Sequence, residues 1–388
     1  MQARLAYFGC DIFDGQKRHQ DSALLIDGDM VAGVVFADEI PADYHTIEQP
    51  SGLIAPGFVD LQVNGGGGVM LNDAPSATII QTICDAHLPF GTTSLLPTLI
   101  TDTPEKTRAA ISAVKNAIEC GVKGVIGLHL EGPHISCARK GAHDPALIRA
   151  MEDDDFDQLA SAASDLPTLM LTVAPESITV DQITGLSRAG AIVSIGHSGT
   201  TLARVQEASE RGASCVTHLF NAMSQLGNRE PGVVGAALTI GALSAGLIAD
   251  GFHVDPASIR VALNAKQGPG EIFLVTDAMA TIGTEQTEFL LNGRRITRED
   301  GRLTLADGTL AGADLDMISA VRFMVNTIGI RVDEALRMAS LYPARVLKRE
   351  QKMGQLVAGA RADFLCINNN LSIKSVWRAG VHFPGVLD

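Results

Sequence analysis

The stretch Gly127-Leu128-His129-Leu130-Glu131-Gly132-Pro133-His134 decides how the fold is interpreted, because a mostly apolar run ends there in a carboxylate. Residues 122–130 predict a buried strand, and the Gly-Pro pair predicts a turn after it. Enzymes of the α/β class keep their polar chemistry at the carboxyl ends of buried strands. A solvent-facing glutamate is the commoner explanation of one such residue. Glu131 alone therefore does not predict an active site, and that prediction depends on comparable residues at other strand ends.

The region around this stretch alternates apolar, β-branched runs with Ala-rich helical stretches, which predicts parallel βαβ units. Eight strands are predicted in it, at residues 57–63, 93–96, 122–130, 169–173, 191–195, 213–217, 247–249 and 271–275. Eight such units are typical of a (β/α)8 TIM-type barrel with its active site on the loops after the strands. A doubly wound sheet is the alternative, but no Gly-x-Gly-x-x-Gly follows the first strand.

Both ends of the chain contain short β segments. Residues 24–35 hold two apolar runs around Asp27-Gly28-Asp29, a hairpin signal, and residues 363–382 again predict short strands. We therefore expect a small β-sandwich domain from residues 1–52 and 345–388, and a catalytic barrel from residues 53–344. Turn signals also predict a β-hairpin insertion near residues 285–310.

The composition of the chain limits the classes of partner that it can bind. The 388 residues carry a formal net charge of −14, which disfavours nucleic acid and anionic membranes as partners. No apolar run reaches the ~18 residues of a membrane span, and the first residues lack the apolar core of a signal peptide. The six cysteines form no Cys-x-x-Cys pair. We expect reduced cysteines and a cytoplasmic location.

Polar residues recur where the predicted strands end, and they are Gln62, Asn64, Glu131, His197, His218 and Asp277. One carboxylate and two imidazoles make a three-ligand set that leaves a divalent metal open to water, the pattern of a catalytic rather than a structural site. Asp277 would then be placed to accept and return a proton. His143 either polarises a substrate carbonyl or is an ordinary loop histidine.

Several motifs between Leu53 and Tyr342 together resemble the N-acetylglucosamine-6-phosphate deacetylase family of the amidohydrolase superfamily. They are Pro56-Gly-Phe-Val-Asp-Leu-Gln-Val-Asn-Gly, His129-Leu-Glu-Gly-Pro, Lys140-Gly-Ala-His-Asp-Pro, Gly196-His-Ser, Thr217-His-Leu-Phe-Asn-Ala-Met and Asp250-Gly-Phe-His. The resemblance implies deacetylation of N-acetyl-D-glucosamine 6-phosphate in amino-sugar catabolism or recycling. It also implies a homodimer whose subunits share the phosphate contacts.

The resemblance assigns roles residue by residue. It implies Glu131, His197 and His218 as metal ligands, Asp277 as the general acid/base, and His143 opposite the acetyl carbonyl. It implies phosphate contacts from Arg229 and His253. It implies further substrate contacts from Ala142, Asn221, Ala222, Leu310, Ala311 and Gly312. The expected cofactor is one divalent metal per subunit, zinc foremost, with iron, manganese and cobalt also suited to these ligands.

The chain departs from the wider superfamily after the first strand, where most members carry His-x-His. Gln62-Val63-Asn64 stands there, and amide side chains are poor zinc ligands. This predicts a single metal, with Gln62 and Asn64 lining the pocket. Two other functions remain open at this point. One is another amidohydrolase activity, such as that of an N-acyl-amino-acid deacylase or a dihydroorotase, and the other is a non-catalytic barrel that binds a sugar phosphate.

Overall fold

A computed structural model of the chain, which describes residues 4–49 and 51–386, contains the predicted parallel barrel. Its eight strands pair in chain order, and we number them as barrel strands one to eight. They are Phe58–Val63, Thr92–Ile100, Leu128–Glu131, Leu169–Val173, Ile192–Ile195, Ala213–Val216, Ser244–Ile248 and Ile272–Val275. Backbone contacts nearly close the sheet, since Asp277 N donates to Gln62 O at 3.0 Å. The fold class is confirmed.

Two barrel strands differ from their predicted bounds. Strand three begins only at Leu128, because residues 120–124 turn after the preceding helix, and it includes Glu131 itself. Strand two continues four residues past Leu96 to Ile100. Pro97 has no N–H to donate to the sheet, but the strand resumes pairing with its neighbour at Thr98 and His129.

Helices follow the strands as the alternation predicts. The α-helices span Ala77–His87, Pro104–Glu119, Asp153–Asp165, Val180–Arg188, Leu202–Glu210, Gly232–Thr239, Pro256–Ala265, Met317–Phe323, Val332–Ala339 and Leu341–Val346. A π-helical turn covers Met324–Ile328, and 3-10 turns cover Ala37–Glu39, Leu88–Phe90 and Cys137–Arg139. The sequence pattern of residues 333–345 predicts a single helix, but the structure has two there, because Pro343 cannot donate a backbone hydrogen bond and the chain bends at Ser340.

The described chain divides into two compact units. One comprises the residues up to 60, residues 84–94 and those from 316 onward, and the other comprises residues 61–83 and 95–315. The predicted domain boundaries at residues 52 and 345 stay a prediction. Within the described residues no helix has both the length and the apolar character that crossing a bilayer requires.

The first unit holds two β-sheets built from both ends of the chain. One contains Met30–Phe36, Ser22–Asp27, Arg4–Phe8 and His45–Glu48, and the other contains Val381–Pro384, Ile373–Arg378, Phe364–Ile367, Leu53–Pro56, Asp11–Phe13 and Arg18–His19. A shared apolar core joins them, in which Tyr7 packs edge-on to Phe364 and Trp377. The expected small β domain from both termini is present.

The second unit carries the predicted insertion as a three-stranded antiparallel sheet of Glu288–Leu291, Arg294–Glu299 and Arg302–Thr304. A short two-stranded pair, Gly65–Gly66 with Val69–Met70, lies after barrel strand one. Leu291, Ile296 and Leu303 of the insertion pack on Met279 and Met70 in one apolar cluster. The insertion therefore packs beside the ends of the barrel strands.

Candidate active site

A pocket of about 390 Å³ lies at the carboxyl ends of the barrel strands in the second unit. Most of the predicted site residues line it, namely Asn64, Glu131, Ala142, His143, His197, His218, Asn221, Ala222, His253, Asp277, Leu310 and Gly312. Gln62 and Ala311 are buried beside this pocket rather than in its wall. Arg229 is exposed on the loop of residues 225–230, and it is the one predicted contact that lies on the surface.

Four buried side chains converge at the base of the pocket. His218 Nε2 lies 2.9 Å and His197 Nε2 3.3 Å from Glu131 Oε1, and the two Nε2 atoms are 3.1 Å apart. His143 Nε2 stands 3.9 Å from the other carboxylate oxygen. Together with Asp277 we call these residues the strand-end cluster.

The donor set fits a divalent cation. His197 Nδ1 lies 2.8 Å from the carbonyl oxygen of Arg139, so its proton is on Nδ1 and the lone pair of Nε2 faces the cluster. Lone pairs and a carboxylate at 2.9–3.3 Å from one another repel without a cation between them. Metal–ligand bonds of about 2.0–2.1 Å give tetrahedral edges of about 3.3–3.4 Å, close to the longest of these separations.

A second grouping is also within reach of a metal, because donor atoms of Glu131, His143 and His197 lie within 4.8 Å of one another. We favour Glu131, His197 and His218, since their separations are the shorter ones. The family described below and this Glu/His/His cluster support a divalent metal in the protein.

Backbone conformation marks the same residues. His197, His218 and Asp277 have φ of 46°, 26° and 51°, in the left-handed region that non-glycine residues seldom adopt. Each costs about 1–3 kcal/mol and persists only where the surrounding structure enforces it, most often at functional sites. These three residues follow barrel strands five, six and eight, and Phe220 and Ala222 in the loop after strand six share the left-handed conformation, as do six described non-glycine residues elsewhere.

Gln62 and Asn64 occupy the place of His-x-His and hold Asp277. Gln62 Nε2 donates to Asp277 Oδ1 at 3.1 Å and to Glu131 Oε1 at 3.0 Å, and Asn64 Nδ2 donates to Asp277 Oδ1 at 2.7 Å. Both amides therefore converge on one carboxylate oxygen. In the described part of the chain, no hydrogen bond reaches Asp277 Oδ2.

Burial separates the properties of the two carboxyl groups. Burial and then the nearby charge of Glu131 raise the pKa of Asp277 to about 6. Burial acts in the same direction on Glu131, but the short contacts of its carboxylate with the imidazoles of His197 and His218 outweigh it and hold the pKa of Glu131 well below its ordinary value. One carboxyl group is thus kept ionised, and the other is poised to exchange a proton near neutral pH.

The histidines also differ. Burial lowers the pKa of His143 to about 3, so this ring is neutral. His253 Nδ1 lies 2.6 Å from Asp250 Oδ2, and this pairing orients the ring at the pocket wall. Against the effect of burial, the hydrogen bond of His253 keeps the pKa of Asp250 below its ordinary value.

A buried chain of hydroxyl groups braces the strands beneath the cluster. His129 Nε2 contacts Thr172 Oγ1 at 2.7 Å, Thr172 contacts Thr217 at 2.6 Å, and Thr217 contacts Ser194 at 2.6 Å. These residues lie on or directly after barrel strands three to six, and their hydrogen bonds tie together the strands that present Glu131, His197 and His218. Alternation along the strands does not reveal such cross-strand bonds.

Two further groups near the pocket escaped the sequence analysis. One is Thr101, which contacts His143. It is a polar residue directly after barrel strand two, but its position was not recognised because that strand was predicted to end at Leu96. Arg294 of the insertion donates to the carbonyl of Ala142, a contact for which the sequence holds no local signal.

Comparison with known proteins identifies relatives of the whole chain. Residues 53–382 match the model of the amidohydrolase family. The N-acetylgalactosamine-6-phosphate deacetylase of Shewanella sp. (strain ANA-3) is 43% identical over 88% of this chain and 86% of its own length. The crystal structure of N-acetylglucosamine-6-phosphate deacetylase from Pasteurella multocida superposes with a TM-score of 0.94, at 33% identity, over 98% of this chain and 100% of that one.

A second solved structure contains a ligand. It is a mutant N-acetyl-D-glucosamine-6-phosphate deacetylase of Mycobacterium smegmatis in complex with N-acetyl-D-glucosamine-6-phosphate. Its TM-score is 0.89 at 30% identity, over 98% of this chain and 99% of that one.

Proposed function

Because this chain belongs to the amidohydrolase family, we propose that it deacetylates N-acetyl-D-glucosamine 6-phosphate to D-glucosamine 6-phosphate and acetate. The single observation that carries the proposal is the strand-end cluster, in which a metal-type donor set lies beside the buried carboxyl group of Asp277. Relatives with this activity in their names match nearly the full chain. The reaction belongs to amino-sugar metabolism.

Glu131, His197 and His218 would hold one divalent ion, with zinc as the first candidate and iron, manganese and cobalt as alternatives. When bound there, the ion supplies Lewis acidity that lowers the pKa of a water and polarises a carbonyl. Gln62 and Asn64 supply amide groups where a second ion would need imidazoles, which supports a single ion per chain.

Asp277 carries the proton in this proposal. Its Oδ1 is held by Gln62 and Asn64, so Oδ2 accepts a proton from the attacking water and delivers it to the leaving nitrogen. His143, neutral and buried, donates a hydrogen bond to the acetyl oxygen as negative charge develops on it. The bond between the acetyl carbon and nitrogen breaks, and the amine leaves neutral.

His253 and Arg229 bind the phosphate, and they do so from different places. His253 lines the pocket of its own chain. Arg229 is exposed, and the neighbouring Glu230 is engaged instead with the backbone N–H groups of Leu202 and Gly232 at 2.8 and 3.0 Å. Leu226 beside it is 56% exposed. These features support a homodimer in which Arg229 of one subunit reaches the pocket of the other.

Six further residues are proposed to contact the sugar or to pack behind the residues that do, namely Ala142, Asn221, Ala222, Leu310, Ala311 and Gly312. The enzyme is proposed to act in the cytoplasm, which agrees with its six free cysteines. The 4-epimer N-acetyl-D-galactosamine 6-phosphate is a second candidate substrate, because the 43% identical relative is named for it.

Acetate release from both sugar phosphates and from unphosphorylated N-acetylglucosamine tests the proposal. We expect the glucosamine substrate to have the highest kcat/KM and the unphosphorylated sugar a KM raised about 10- to 100-fold. A higher kcat/KM on the galactosamine epimer would assign the second substrate. Release from neither phosphate, by protein that holds its metal, would reject the proposed function.

A further inference from the structure

Thr101 follows barrel strand two and lies behind His143. The residue is 1% exposed, and its Oγ1 stands 2.7 Å from His143 Nδ1 and 3.4 Å from the backbone carbonyl oxygen of Glu131. Gly132 makes room for this hydroxyl, because a Cβ at Gly132 would come within 2.2 Å of Thr101 Oγ1. The hydroxyl is thus fixed between the histidine and the strand end that presents Glu131.

The partner of one imidazole nitrogen decides whether the other carries the proton. A hydroxyl has one proton to donate, either to His143 Nδ1 or to the carbonyl oxygen of Glu131. The 3.4 Å to that carbonyl oxygen is longer than the roughly 2.5–3.0 Å of an ordinary O–H···O hydrogen bond, whereas the 2.7 Å to His143 Nδ1 is a normal hydrogen-bond distance. On the other side of the ring, Nε2 is 3.9 Å from Glu131 Oε2. A carboxylate oxygen attracts an N–H and repels a lone pair, so both neighbours favour the same tautomer.

We infer that Thr101 is a positioning residue that donates its hydroxyl proton to Nδ1 of His143 and so keeps a proton on Nε2, the nitrogen that faces the substrate. The inference rests on the proposed function, in which Nε2–H donates to the acetyl oxygen. It also decides between the two metal groupings, because a protonated Nε2 cannot bind a cation. His143 is then a donor to substrate, and the ion belongs to Glu131, His197 and His218.

The test compares Thr101→Val, which removes only the hydroxyl, with Thr101→Ser, which keeps it. We expect kcat of the valine variant to fall about 10- to 100-fold, as for loss of one donor to a developing oxyanion, with KM within about threefold. The serine variant should stay within about threefold of wild type. Metal content should be equal in all three proteins, since no ligand changes.

Thr92→Val is the matched control. Thr92 begins the same strand, is 1% exposed, and its hydroxyl has no hydrogen-bond partner among the described residues. It should keep wild-type kcat. Equal losses in the Thr92 and Thr101 variants, a serine variant as slow as the valine variant, or loss of metal from Thr101→Val would each overturn the inference.

A second measurement holds even if the valine variant does not fold or the enzyme has another substrate. ¹⁵N chemical shifts of histidine-labelled wild-type protein, loaded with zinc, report the tautomer of each ring, and His143→Gln identifies the signal among the ten histidines. We expect His143 to be protonated on Nε2. Protonation on Nδ1 would overturn the assignment of Thr101, whereas absence of acetate release would count against the proposed function alone.

Discussion

The strand-end cluster and the exposed loop of residues 225–230 both contain predicted site residues, but the side chains of the cluster are buried and bonded to one another, whereas Arg229 on the loop is exposed. In the cluster, side chains from separate strands bond to one another, as Gln62 does to both Glu131 and Asp277. In the loop, Glu230 binds backbone N–H groups, and the side chain of Arg229 points into solvent. The strand-end cluster is thus assembled within one chain, whereas Arg229 is exposed and available to a neighbouring subunit.

The largest effect should come from a metal-facing histidine. His197→Ala removes one of three converging donors, so metal and activity should be lost together, with kcat/KM down about 1,000-fold or more. Metal content by elemental analysis and acetate release on the same sample check this. His45→Ala, at an exposed histidine, is the control and should change neither. A metal-replete, active His197 variant would remove this residue from the cluster.

Arg229→Ala should have an intermediate effect that depends on the substrate. Loss of a guanidinium–phosphate contact raises KM about 10- to 100-fold for the sugar phosphate and leaves the unphosphorylated sugar within about twofold. Arg331→Ala, whose side chain is 88% exposed, is the control. Equal losses on both sugars would contradict the phosphate role.

A mixture of two impaired variants tests which subunit Arg229 serves. A heterodimer of Arg229→Ala and Asp277→Asn subunits contains one site with an intact cluster and an arginine from its neighbour. If the loop serves the other subunit, the mixture should recover a low KM that neither variant has alone. No recovery after verified subunit exchange would show that Arg229 serves its own chain.

The smallest effect should follow from Glu230→Gln. Both backbone N–H groups donate to the same carboxylate oxygen, so the amide oxygen of glutamine can still accept them, but it lacks the charge that strengthens both bonds, and the loop that carries Arg229 loosens slightly. KM for the sugar phosphate should rise about threefold. An effect equal to that of Arg229→Ala would mean that the carboxylate itself takes part in binding.

The sequence predicted the site best where a single residue, by its type and its position after an apolar run, identifies a strand end. The strand ends at Glu131, His197, His218 and Asp277 were predictable because apolar runs stop there and polar residues follow. These residues could be assigned to one site because the parallel strands of a barrel bring their carboxyl ends to the same end of the barrel.

What the sequence did not reveal depends on pairwise geometry. The end of barrel strand two was misplaced at Pro97, which concealed Thr101, and the break at Ser340 was masked by a continuous helical pattern. The choice of Oδ1 of Asp277 by two amides depends on side-chain directions that no periodicity encodes.

The most direct test of the account measures metal content and acetate release together in wild-type protein and in Asp277→Asn. The account predicts about one metal per chain in both and a kcat for the variant about 1,000-fold lower, because Asp277 moves the proton without holding the ion. A variant that keeps its rate within tenfold of wild type, or that loses its metal with its activity, would contradict the division of labour between Asp277 and the three metal-facing residues.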